Sequence, residues 1–120
     1  MLAYKLFGSG LNTLTVASIT DVATGLTATG SDQSGAFEVT TAKAAFGTVA
    51  ASTGARLDDQ AAPGDTQMIY NGGANPLKVY PPSGAQINAL GANLPMTLPV
   101  RTACEFYCLT TTLWTGVLSA

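Results

Sequence analysis

Three carboxylates stand close together in this sequence, Asp58, Asp59 and Asp65, and paired carboxylates are what general acid–base catalysis or a calcium site requires. Their spacing matches no calcium loop. The turn Ala62-Pro63-Gly64-Asp65 beside them favours a solvated loop, with a weak cation site as the alternative. Two cysteines, Cys104 and Cys108, lie in the run Ala103 to Leu109, which reads as a strand. At about 3.3 Å per residue they stand roughly 13 Å apart, too far for a disulfide. They share a face with Phe106 and are expected to be buried free thiols acting as small hydrophobes. Seventeen threonines supply hydroxyls, but there is no histidine to activate them or to complete a zinc site. Gly8-Ser9-Gly10 and Asn71-Gly72-Gly73 lack the strand-to-helix setting and the lysine of a phosphate loop, and read as turns. Tyr70, Tyr80, Tyr107 and Trp114 are either a platform for stacking sugars or, as is commoner for aromatics on adjacent strands, core and subunit-interface side chains. No catalytic residue, metal ligand or cofactor is expected, and the reading is non-enzymatic.

Charge narrows the partners. Only 10% of the 120 residues are charged, against about a quarter in an ordinary soluble chain, and the formal net charge is −2. The five cations, Lys5, Lys43, Arg56, Lys78 and Arg101, are scattered and make no footprint for nucleic acid. No apolar stretch is long enough for a signal peptide or a membrane helix, so the chain is expected to be made in a cytoplasm and to have no membrane partner. So few charges leave a surface of Thr, Ser, Asn and Ala, or one covered by other chains.

The elements that must position these groups are strands. Apolar residues alternate with polar ones in short runs (Leu14 and Val16; Phe37 and Val39; Leu77 and Val79; Met96, Leu98 and Val100), separated by Gly, Pro, Asn and Asp. That pattern predicts antiparallel strands. The Ala-rich segment 42–51 could pass as a short helix, but Phe46-Gly47-Thr48-Val49 favours extended chain. The 62–65 turn should deliver the chain into a strand at Thr66 to Tyr70, and 71–76 should be a hairpin loop that pairs Leu77 to Tyr80 back on it. Pro99 demotes the run from Met96 to Arg101 to an edge strand or a bulge. Strand signals every 8 to 12 residues predict an all-β domain of about eight or more strands, a β-sandwich or jelly-roll-like fold over residues 12–120. Its expected core holds Met68, Tyr70, Leu77, Val79, Ile87, Leu98, Phe106, Cys108 and Leu113, and residues 57–118 should supply most of it.

Residues 1–11 precede the first convincing strand and carry Leu2, Tyr4, Leu6 and Phe7. Left free, this apolar set would be an aggregation hazard. It is expected to lie as an extended arm on a partner surface, hinged at Gly8-Ser9-Gly10, the alternative being an ordinary first strand. Together with Tyr80 and Tyr107, these are the candidate interface residues.

The block from Ala62-Pro63-Gly64-Asp65-Thr66 through Tyr70-Asn71-Gly72-Gly73-Ala74-Asn75-Pro76-Leu77-Lys78-Val79-Tyr80-Pro81-Pro82-Ser83-Gly84 to Asn93 resembles small β-rich structural proteins of tailed-bacteriophage virions. The closing stretch from Glu105-Phe106 to Leu113-Trp114 is similar to their final strand pair, so the likeness spans about residues 54–118. It implies a capsid cement or decoration protein, or a related head-fibre or appendage domain, commonly trimeric. The implied partners are further copies of the chain and the major capsid protein, and the implied location is the virion surface. The rival readings are a fibre or tail-appendage domain that contacts the host receptor, and a carbohydrate-binding module. The shared motifs are turns and strands, so no site residue follows from the resemblance.

Overall fold

A computed structural model describes residues 21–119. The chain forms ten strands: β1 (Val22–Thr27), β2 (Phe37–Glu38), β3 (Lys43–Thr48), β4 (Gly54–Arg56), β5 (Thr66–Asn71), β6 (Leu77–Tyr80), β7 (Gln86–Ile87), β8 (Met96–Leu98), β9 (Ala103–Thr110) and β10 (Leu113–Leu118). The fold is all-β, as the alternation predicts. The segment 42–51 is extended, and β8 closes one edge of its sheet just before Pro99.

The pairing differs from the expectation. Two sheets form, one of six strands in the order β1-β3-β5-β9-β10-β7 and one of four in the order β2-β4-β6-β8. Among the described strands five of the eight pairings are parallel, and only β9 with β5, β10 with β9 and β8 with β6 are antiparallel. From β1 to β6 the chain alternates between the sheets, so it winds as a flattened coil, each turn stacked in parallel on the one before. The expected hairpin does not form: β5 and β6 belong to different sheets, and 71–76 crosses between them. Alternation reports which residues face inward and carries no information on strand direction. The coil has no fixed repeat, since Lys43 pairs with Val22, 21 residues earlier, and Met68 with Lys43, 25 residues earlier.

One hydrophobic cluster joins the inner faces of both sheets, with Phe46, Ile69, Phe106 and Trp114 from the larger and Leu77, Val79 and Leu98 from the smaller. Leu57, Ile87 and Val39 complete it, and most of the largest buried side chains come from residues 57–118, as expected. Phe37 packs edge-on against Phe46 at 5.7 Å. Strand β5 has the opposite register to the one expected: Gln67, Ile69 and Asn71 point inward, Met68 is half-buried, and Tyr70 is 37% exposed. Leu113 is likewise only half-buried.

The two buried amides explain that register. A chain that leaves one sheet for the other cannot keep its backbone groups in a ladder, and a buried polar group without a partner is destabilising. Gln67 accepts from the Asp58 N–H at 2.9 Å and donates to the carbonyls of Val39 at 2.8 Å and Thr41 at 3.0 Å. It thereby joins the β2–β3 and β4–β5 crossings. At the other end of β5, Asn71 donates to the carbonyls of Asn75 at 2.9 Å and Leu98 at 3.0 Å and accepts from the Gly73 N–H at 3.0 Å. Its own N–H donates to Thr102, and its carbonyl accepts from Arg101 at 2.7 Å, for which Arg101 takes φ +62. Gly73 lies so close to Val49 that an added Cβ would sit 2.6 Å from it.

Asn71→Ala removes all three side-chain hydrogen bonds at this corner and is expected to lower stability by about 2–4 kcal/mol, read from the urea midpoint at unchanged m value. Phe106→Ala, which removes a fully buried ring, should lower it by about 3–5 kcal/mol. An Asn71→Ala chain within about 0.5 kcal/mol of the parent would show that the corners are held by something else.

Candidate interaction surface

With the inward positions given over to core and corner bonding, the outward positions of the six-stranded sheet form a continuous face. One row crosses five strands: Val22 pairs with Lys43, Lys43 with Met68, Met68 with Glu105, and Glu105 with Val117. A neighbouring row runs from Ala45 through Tyr70 to Ala103, and a third from Thr66 through Tyr107 to Thr115. Val22 and Val117 are more than half exposed, and Tyr70 and Leu109 stand out beside them. Lys43 and Glu105, both exposed, are the only charged residues of these strands on this side. They have no close counter-ion: among the described residues the one ion pair is Arg56 with Glu38 at 3.5 Å.

The residues singled out from the sequence fall in different places. Tyr107 lies on this face, half-buried. Tyr80 does not, and its place among the interface residues is corrected: it is 6% exposed within its own chain, with its ring against Gly54, where an added Cβ would meet it at 2.8 Å. Trp114 is fully buried. Tyr70 and Tyr107 lie in separate rows on β5 and β9, so the four aromatics make no common stacking platform. Leu2, Tyr4, Leu6 and Phe7, with the arm they were assigned to, lie outside the described residues. Met68, Lys43, Glu105 and Val117 were missed as surface residues because the sequence-based register put Met68 inside. The signal that could have found them is the pair of amides, Gln67 and Asn71, flanking Ile69 at spacing two.

The carboxylates are engaged locally. Asp65 closes the 62–65 turn by accepting from the Ala62 N–H at 2.9 Å. Asp58 and Asp59 come together with Glu38 instead, their oxygens within 4.8 Å of one another. Arg56 neutralises Glu38, Asp58 accepts from the Gln60 N–H at 2.9 Å, and Asp59 accepts from the Gln60 side chain at 3.3 Å. Elsewhere, the Asp32 carboxyl is held below its usual range by the Gly35 N–H and the Ser34 hydroxyl, in a turn. The two cysteines are buried and free, on the same face of β9 as Phe106. Burial pushes the Cys104 thiol up from 9.0 to about 11, with the Glu105 charge adding to it against a backbone hydrogen bond from Val117, and burial raises Cys108 too. Raised thiols are poor nucleophiles at neutral pH.

Comparison of the chain with protein families, with curated proteins and with solved structures returns no match.

For Cys104 the neutral thiol is the form the fold favours, so its contribution to stability is intact below pH 9, the unfolded value, and is lost as pH rises towards 11. The parent is expected to lose stability over that window more steeply than Cys104→Ala, by roughly 1–3 kcal/mol. Native protein should also resist a thiol-alkylating reagent at pH 8 until denaturant is added. Rapid alkylation of Cys104 in the native state would contradict the burial.

Proposed function

We propose that this chain is a non-enzymatic structural protein of a tailed-phage virion, a cement or decoration protein that binds the major capsid protein across capsomer joints and works as a homo-oligomer. Three copies is the number the resemblance implies. The observation that carries the reading is the outward face of the six-stranded sheet. It is broad, mixed from apolar and hydroxyl side chains, and interrupted by only two charges, as expected of a surface that other protein chains cover. The buried polar side chains Gln67 and Asn71 are fully engaged in holding the crossings, which supports a protein whose task is to be a stable scaffold. Cementing requires no reaction. Each bound copy adds contact area and shifts the shell towards its assembled state, and many copies act together.

A second reading, a fibre or tail-appendage domain, is favoured by one feature, the parallel coil from β1 to β6, which stacks turns along a single direction and suits an elongated assembly.

Purified virions decide between them by copy number. Decoration predicts hundreds of copies per particle and heat-sensitive shells when the gene is deleted. An appendage predicts a few dozen copies or fewer, with intact shells that fail to adsorb. Absence of the chain from virions would contradict both.

A further inference from the structure

The row Val22, Lys43, Met68, Glu105, Val117 has a symmetry that a solvent-facing row does not require. Read in either direction it runs apolar, charged, apolar, charged, apolar, with the two charges opposite in sign and equally far from Met68 on the central strand β5. We propose that this face docks on the same face of a second copy of the chain, about a two-fold axis that lies between the two sheets and runs along β5. The inference stands on the geometry of the face and is independent of the virion reading.

A rotation about that axis reverses the order of strands and keeps the position along them. Met68 then meets Met68 of the second copy, and Tyr70 meets Tyr70. Lys43 of each copy lies opposite Glu105 of the other, and Val22 opposite Val117. Both charges are matched, twice, by one operation, which is the self-complementarity an isologous contact demands. The row through Tyr70 agrees. Ala45 and Ala103, equally far from Tyr70, come face to face as small residues that let the sheets approach to about 10 Å, the ordinary spacing of packed sheets. Within one copy Lys43 and Glu105 are separated by the β5 strand, so the pairing is available only between copies. Five strands at about 4.8 Å and runs of about six residues at about 3.3 Å give a patch of about 24 by 20 Å, or roughly 1,000 Å² buried in total. That is the low end of specific interfaces. It predicts reversible association at high concentration, strengthened where copies are already held side by side.

An isologous contact joins copies in twos. It gives dimers from monomers, or links two three-fold rings into six, so the species that appears with concentration must be an even multiple of the chain. Sedimentation of the full chain up to about a millimolar tests this, with far-ultraviolet circular dichroism confirming the fold of each variant. The parent is expected to reach an even-numbered species whose dissociation rises with salt. Lys43→Glu and Glu105→Lys should each weaken it about tenfold or more, and the double variant, which restores opposite charges across the axis, should recover it to within about threefold of the parent. Met68→Glu, which sets like charges face to face on the axis, should abolish it. A parent that stays monomeric or stops at three copies overturns the proposal. So does a double variant no better than the single ones, or a Met68→Glu chain that associates like the parent.

Discussion

Asn71 makes five hydrogen bonds from a position with no exposure to solvent, and the fold turns on them. A chain that alternates between two sheets gains parallel neighbours at the expense of its corners, where carbonyls and N–H groups leave the ladder while remaining inside. The Asn71 amide gathers those groups from three segments at once: the 71–76 crossing, the end of β8 and, through its backbone, the turn between β8 and β9. Gln67 does the same at the opposite end of β5 for the β2–β3 and β4–β5 crossings. Four residues apart on one strand, the two side chains clamp successive turns of the coil, with Ile69 between them in the core.

This constraint also shapes the surface. Because β5 turns Gln67, Ile69 and Asn71 inward, Thr66, Met68 and Tyr70 must point outward, and the neighbouring strands follow in register. The outer face owes its apolar character to a decision made in the core. Among the described residues, Asp58 and Asp65 accept from turn N–H groups, Glu38 pairs with Arg56, and burial keeps the Cys104 thiol protonated. Among the described residues, the outer face of the six-stranded sheet presents apolar area and two exposed charges, Lys43 and Glu105.

Most of the strands were legible from the sequence. Alternation located β2, β6 and β8, and read β9 well enough to place Cys104, Phe106 and Cys108 on one buried face. Turn chemistry located the Pro63-Gly64 turn, with Gly64 at φ +98, and Pro99 marked an edge. Strand direction was not legible. Period two is the same for parallel and antiparallel neighbours, and the asparagine-glycine loop at 71–76 that looks like a hairpin is a crossing between sheets. The register of β5 was misread for a physical reason. Of the two sets on that strand, Met68 with Tyr70 is the more apolar, but the set that goes inside is the one whose amides can satisfy the corners. Tyr80 was misplaced because the absence of a side chain on Gly54, a neighbour only in the folded coil, makes room for its ring.

Amide hydrogen exchange of the native chain tests the claim about the corners most directly. The N–H groups of Asp58 and Gly73 lie outside the strands, where exchange is ordinarily fast, and each donates to one of the two amide side chains, at 2.9 and 3.0 Å. If Gln67 and Asn71 hold the coil together, these two amides exchange only with global unfolding, at the slow rates of Ile69 and Phe106 in the core. Exchange of Asp58 and Gly73 at the rates of exposed loop amides, with the core still protected, would contradict the account.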